Sequence, residues 1–378
     1  MKMDGSIGAV EREASLREVR RFVDRAVEPR VERPETPMSL AALGALLDEA
    51  EGLGFAGSAD EPTGLGAWET LVDEGLPGHT LETLVCLADG NAGVAFAVHQ
   101  RALARAACRL AGRFVEVAEP LAIAPLGHYG LGRLSIVRWL AGEALDADDD
   151  ALLDDLYAAS APRVVTVEPG FAGGIFPVRV GTSVQWLVAD RAHLDFDAQP
   201  HPHGFDELST GAAVLPERVD ASSLAEAAAR AVFAALTGAH QLALVAIARG
   251  AVERGLRLAR RYAAERYQGG AMIDRHPAVL ELLGRSRSEL VVVDALLQRA
   301  ARTRLDAAGW VAALAVRARA APALADAANA ALQVFGGVGY MRDVGVEKVV
   351  RDVNHLRAIG GPLGEAGLIV AEWERVHA

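Results

Sequence analysis

Apolar residues recur at helical spacing along most of this chain. Leu16, Val19, Phe22, Val23 and Val27 fall on one helical face ahead of Pro29. Ser39 stands where a cap belongs for a second helix carrying Leu40, Leu43, Leu46 and Leu47, which Gly52 and Gly54 end. Leu53 and Phe55 then mark a buried turn, and a Gly-, Pro- and Asp-rich loop runs on to Gly78. Residues 81–110 are apolar too continuously for a surface helix, which predicts a buried one. Helical patterning resumes over residues 131–158, broken by the acidic run at 146–150, which reads as a solvated loop.

The texture changes at about Arg163. Val164-Val165-Thr166-Val167 and Val184-Gln185-Trp186-Leu187-Val188 are β-rich, and Pro169, Gly170, Gly173, Gly174, Pro177 and Gly181 bound them. Pro200, Pro202 and Gly204 follow. The helical pattern returns with Ser222 or Ser223 as the expected cap. A proline-free stretch then reaches Gln268, long enough for one or two helices, and Gly269-Gly270 ends it. Pro277 opens the next helix, running to about Arg302. Further helices are expected over residues 308–319 and 322–335, and long helices with short breaks predict an antiparallel bundle. The domain boundaries expected from this pattern are 1–162, helical; 163–220, a short β domain; and 221–378, a helical bundle.

Composition narrows the function. The 378 residues are 51% hydrophobic and 23% charged, a globular balance. A net charge of −12 argues against broad phosphate-backbone binding, so no nucleic-acid partner is expected, although a local basic site for a small anion remains open. Cys86 and Cys108 show no metal-ligand spacing, so no metal site is expected. The charged N-terminus lacks the apolar core of a signal, and no uninterrupted apolar window of about 18 residues exists. The expectation is a cytoplasmic chain with no membrane span.

Three blocks carry candidate chemistry. Glu265-Arg266-Tyr267-Gln268-Gly269-Gly270 puts an arginine in a last helical turn, where it also suits the helix terminus. Leu332-Gln333-Val334-Phe335-Gly336-Gly337-Val338-Gly339-Tyr340 sets three glycines after an apolar helix, which serve either a helix cap or close approach to a ligand. In Val346-Glu347-Lys348-Val349-Val350-Arg351-Asp352, Glu347 and Arg351 are spaced to pair on one helix face. Together and in this order, the blocks resemble the acyl-CoA dehydrogenases. That family has an Arg-x-x-Phe-Gly helix end, then Gln-x-Phe-Gly-Gly-x-Gly-Tyr, then Val-Glu and Arg-Asp elements. Leu53-Gly54-Phe55 and Val98-His99 fit as well, and Glu168-Pro169-Gly170 resembles the Thr-Glu-Pro-Gly that opens the family's β domain.

The resemblance implies a mainly α fold with a small β domain: an N-terminal helical domain, a short β domain and a C-terminal four-helix bundle. It implies FAD between the β domain and the bundle, contacted in part by a neighbouring subunit of a homodimer or homotetramer. Arg266 would pair with the FAD pyrophosphate. Gln333, Gly336 and Gly337 would approach the adenine-nucleotide half, with Thr166 and Trp186 near the flavin ring.

The match fails at the catalytic base, a glutamate worth about two to four orders of magnitude in rate. The family's usual position falls on Gly360, and the alternative position, on the helix that ends in Arg266, falls on His240. His240 is then a candidate base, because imidazole titrates near neutrality. Glu365, reaching in from the last helix, is a second candidate. Other departures are Gly269 for the family's Phe, Val167 for its Thr and Pro362 for a small hydroxyl residue. No segment is identified that walls the flavin. The expected function is an FAD-dependent oxidoreductase that dehydrogenates an acyl thioester on CoA or a carrier protein. The rivals are a non-catalytic partner of a homologous, glutamate-bearing subunit and a flavin monooxygenase on a similar fold.

Overall fold

The computed structural model describes residues 9–31, 36–56, 67–113, 120–126, 130–200, 203–215 and 220–377. Pro202 and residues 57–66 of the loop expected before Gly78 lie outside them, and part of the rest of that loop is helical, at Glu69–Glu74.

The N-terminal layer comprises α1 (Ala9–Phe22), α2 (Leu40–Gly52), α3 (Glu69–Glu74), α4 (Thr80–Gly90) and α5 (Ala92–Leu110). Ser39 caps α2 as expected, its hydroxyl accepting from the Ala42 amide. Phe55 is buried, whereas Leu53 stays partly exposed. The long apolar stretch is two helices rather than one. Asn91 separates them, and its side chain caps α5 by accepting from the Val94 amide.

The β layer starts earlier than the sequence suggests. Strand β1 (Leu121–Ile123) pairs in parallel with β3 (Gly173–Val180), which pairs antiparallel with β4 (Ser183–Asp190). A second sheet has the order β2 (Arg163–Val167), β6 (Ser209–Val214), β5 (Asp195–Ala198). Val165, Val167, Phe176, Val178 and Leu187 share one apolar cluster within this layer. Helices α6 (Arg133–Ala141) and α7 (Ala147–Tyr157) lie between β1 and β2 in the chain. The acidic run is not a loop: Asp146 caps α7 in a reciprocal capping box with Asp149, and Asp148 to Asp150 form its first turn. Carboxylates belong there, because the unsatisfied amides and the helix dipole favour negative charge.

The bundle is built on α8 (Glu226–Glu265), one helix of 40 residues, and so about 60 Å long at the usual rise. Neither serine caps it; the Ser222 hydroxyl accepts from the Trp186 amide and donates to Gln185. An 18-residue window of α8 is apolar enough to cross a membrane, but 94% of it is buried inside the protein, so that surface is consumed by packing. A short hairpin, β7 (Tyr267–Gln268) and β8 (Ala271–Met272), leads to α9 (Pro277–Ala300), which starts on Pro277 as expected. The two helices expected around Pro322 are one, α10 (Ala307–Phe335), with Pro322 inside it. An internal proline loses a backbone bond and costs about 3 kcal/mol. Here the apolar positions on both sides of it, Leu314 and Leu324 among them, are buried in the core and hold the helix together. Then come α11 (Val346–Ile359) and α12 (Leu363–His377).

Close approach to α8 depends on glycine. A Cβ on Gly250 would lie 2.3 Å from the Val85 carbonyl oxygen and 2.7 Å from the Ala88 side chain, both on α4. Gly44 on α2 has open space around it. Gly250→Ala should therefore destabilise the protein by about 1–3 kcal/mol through overpacking. Gly44→Ala should stabilise it by about 0.5–1 kcal/mol through backbone entropy. Urea midpoints of the two variants, read at unchanged slope, check the opposite signs.

Candidate active site

A cavity of about 830 Å³ opens where the sheets meet the bundle. Phe96 and Gln100 of α5 and residues 123–126 at the exit of β1 line it. Val164 and Thr166 of β2, His240 of α8, Asn354, Arg357, Ala358 and Ile359 of α11, Gly130 and the turn 361–363 also line it. The Gln100 side chain accepts from the Ile123 amide at 2.9 Å and so ties β1 to α5. Strand β1 and its exit, which the sequence did not single out, form one wall of this cavity. Glu168-Pro169-Gly170 instead forms the turn after β2, where Glu168 is held by Arg101 of α5 at 2.7 and 2.8 Å.

Thr166 lies on the cavity, as expected of a residue facing a bound ring. Its hydroxyl is 3.0 Å from both Thr210 Oγ1 and His355 Nε2. Burial, and then the His203 charge, push His355 down to about 4, so it is neutral at pH 7. Trp186, expected nearby, is fully buried in the main core and does not line the cavity. Its position in β4, opposite Pro177, turns it into that core.

His240 is where the sequence placed it, on the cavity wall in the middle of α8. Its Nδ1 is 3.1 Å from His99 Nε2, and the two rings stack at 5.3 Å with 22° between planes. His99 Nδ1 in turn accepts from the Trp68 indole at 3.0 Å. Trp68 is fully buried at φ +68°, a strained conformation for a bulky residue. Its amide donates to Thr80 Oγ1 at 3.0 Å, so both its backbone and its ring are tied. Burial, and then the Arg317 charge, push His240 down to about 3. At neutral pH it is an uncharged imidazole and a weak proton acceptor.

Gly360 explains its missing side chain. A Cβ there would lie 2.3 Å from Arg317 Nε and 2.5 Å from Cζ. Arg317 comes from α10, is 1% exposed, and donates to the carbonyls of Arg357 and Gly361 at 2.8 and 2.7 Å. Its Nε and Nη1 have no hydrogen-bond partner among the described residues. Desolvation lowers it to about 10, which still leaves it charged at pH 7. A guanidinium therefore holds the space into which a residue-360 side chain would grow, balanced by carbonyls at the end of α11 and not by an acid.

Glu365 is committed elsewhere. Its carboxylate accepts from the Leu131 and Arg133 amides at 2.7 and 2.9 Å, at the start of α6. A carboxylate held this way caps a helix and faces away from base chemistry. Among the described residues, no aspartate or glutamate lines the cavity.

The remaining cofactor candidates lie at the far end of the bundle. Arg266 follows the last turn of α8 and is exposed, as are Gln333 and Gly337. Tyr262 of α8 stacks on Phe335 of α10 at 4.5 Å, which brings Arg266 and the Gly336-Gly337 turn to the same end. Arg266 is 26 residues from His240 on one helix, about 39 Å along its axis. One FAD does not bridge that distance. The local chemistry does fit a dinucleotide. Gly337 has open space where a Cβ would be, so packing within the chain does not require glycine there. Gly336 has φ +61°, which favours glycine. The cavity has room for a flavin ring beside Thr166.

Sequence reasoning missed Trp68, His99 and Arg317. Each acts through a partner distant in sequence, and the only local signal, Val98-His99, gave no hint of His240.

Residues 231–374 match the family model described as the acyl-CoA dehydrogenase C-terminal domain. No curated protein sequence matches the chain. Among solved structures, the chain is similar to butyryl-CoA dehydrogenase from Megasphaera elsdenii, with 14% identity, TM-score 0.70 and full coverage of both chains. It is similar to the prolyl acyl carrier protein oxidase AnaB, with 14% identity, TM-score 0.71, and 97% of this chain and 100% of that one covered. PigA, solved with FAD and proline, gives 15% identity and TM-score 0.72 with full coverage of both. At these identities the likeness establishes the fold.

Two predictions follow the geometry. Gly360→Glu should destabilise the native protein by about 1–3 kcal/mol. In an Arg317→Ala background the loss should shrink, giving a coupling of about 0.5–3 kcal/mol in a double-mutant cycle of urea midpoints. The second concerns pH. Above about 6.5, the ordinary imidazole value, His240 is neutral in both folded and unfolded chains. Between there and about 3 the unfolded chain takes up a proton that the folded one refuses, so stability falls as pH falls. The slope is on the order of 1 kcal/mol per pH unit at most. Urea midpoints from pH 7 to pH 5 should drop less steeply in His240→Gln than in the native protein.

Proposed function

We propose that this chain is an FAD-dependent oxidoreductase acting on an acyl thioester, carried on CoA or on a carrier protein. The premise is that residues 231–374 belong to the acyl-CoA dehydrogenase C-terminal domain family and that the whole chain takes the acyl-CoA dehydrogenase fold. The observation that carries the reading is the cavity bounded by β2, α8, α11 and the turn at Gly361, with Thr166 on its sheet side and His240 opposite. Butyryl-CoA dehydrogenase and the prolyl carrier protein oxidase share this fold. FAD, when bound, supplies the hydride acceptor.

Thr166 and the backbone at Gly361 hold one side of the ligands, and His240 faces the acyl group. With no carboxylate on the wall, loss of the α-proton falls to water. Arg266, Gln333, Gly336 and Gly337 hold the adenine-nucleotide half of a cofactor whose ring sits in another copy, which makes the working unit at least a dimer. Tyr267, Val338, Tyr340 and Met341 are exposed at that end and give the second copy an apolar surface to cover.

One observation favours a second reading. The Arg317 guanidinium beside Gly360 suits a chain that leaves chemistry to a glutamate-bearing homologue and completes a shared site.

The test is an absorbance spectrum of the purified protein, followed by anaerobic addition of butyryl-CoA. Flavin bands that bleach are expected. Arg266→Ala should weaken FAD retention by about tenfold, the loss of one charge-assisted contact. Absence of flavin, and no uptake of added FAD, would overturn the reading in favour of the partner-subunit role.

A further inference from the structure

The three rings beside the cavity fix where their protons are. The Trp68 indole has a hydrogen to give and no lone pair to receive one. His99 Nδ1, 3.0 Å away, must therefore be a bare acceptor. His99 is fully buried, and no carboxylate contacts either imidazole among the described residues, so nothing there stabilises a charged ring. A neutral His99 with a bare Nδ1 carries its hydrogen on Nε2. That hydrogen points at His240 Nδ1, 3.1 Å away, which must accept it. His240 is then left with its own hydrogen on Nε2. This nitrogen has no hydrogen-bond partner among the described residues, and its ring lines the cavity.

Two further features set the character of that donor. Arg317 lies close enough for its charge to act on the His240 ring, and two of its guanidinium nitrogens are unpaired among the described residues. Arg357 lines the same cavity, and no acid among the described residues does. A neutral N–H donor backed by a buried, acid-free cation attracts oxygen that carries negative charge.

We propose that Trp68 and His99 lock His240 as an Nε2–H donor into the cavity, where it binds a carbonyl or carboxylate oxygen of the substrate. His240 is on this account a substrate-contacting residue that gives a hydrogen bond. Trp68 and His99 are positioning residues. The strained φ of Trp68 is held by its amide bond to Thr80 and its indole bond to His99. That the oxygen belongs to an acyl thioester rests on the function proposed above; the tautomers do not.

The decisive measurement is nitrogen NMR of protein labelled with ¹⁵N-histidine at pH 7, with His240 assigned by its loss in His240→Gln. Both His99 and His240 are expected in a single form, protonated at Nε2 and bare at Nδ1. A hydrogen on His240 Nδ1, or a doubly protonated ring, overturns the proposal. Trp68→Phe keeps the bulk and removes the donor, so His99 and His240 should then populate both tautomers. A single unchanged tautomer in that variant overturns the relay. In calorimetry, butyryl-CoA should bind about tenfold more weakly to His240→Leu, and His240→Gln should restore most of the loss by returning an N–H. Equal affinity in all three overturns the assignment of the oxygen. No binding of butyryl-CoA to the native protein overturns the thioester reading, and a single Nε2–H tautomer would still uphold the donor.

Discussion

Helix α8 is buried on nearly every side, and the other layers are arranged by what it takes to cover it. Residues 232–252 form an almost unbroken apolar barrel. Helices α4, α9, α10 and α11 pack on it, and the Gly250 contact with α4 shows how close the approach is. Every residue from 232 to 252 is buried, so this stretch has no exposed face, and covering it removes a large apolar surface from water. The same helix fixes the functional geometry. Its middle presents His240 to the cavity, and its end presents Arg266 about 39 Å away. The distance between the two functions is set by a rigid rod and not by loops.

At the cavity the constraint is electrostatic. Gly360 and Arg317 occupy one space, and the occupant is a cation. Its charge is met by helix-end carbonyls, and it lowers the basicity of His240. Among the described residues, the cavity wall carries Arg357 and no acid, within a chain whose net charge is −12. Such a site handles developing negative charge on oxygen more readily than it removes a proton.

Much of this was legible in the sequence because it is locally encoded. Ser39 capped its helix, Pro277 opened another, and Glu347 paired with Arg351 at 2.6 Å at the expected spacing. The mainly helical fold with small sheets followed from periodicity and from the ordered C-terminal blocks. The misreadings have physical causes. Strand β1 is too short for alternation to show. Pro322 and the acidic run were read by local preference, which tertiary packing and a capping box respectively overrode. Trp186, which the family resemblance places near the flavin ring, is a buried core side chain that does not line the cavity. The Trp68–His99–His240 line and the Arg317–Gly360 contact join elements far apart in sequence, and no single stretch encodes them.

The Arg317 guanidinium fills the space at Gly360, where the family resemblance places the catalytic carboxylate. The most direct measurement is the anaerobic rate at which butyryl-CoA bleaches the bound flavin in the native protein and in the double variant Arg317→Ala, Gly360→Glu. Exchanging the guanidinium for a carboxylate should speed bleaching by about a hundredfold or more, the lower range for a positioned base. A rate equal to or below that of the native protein, in a variant that folds and retains its flavin, would contradict the account.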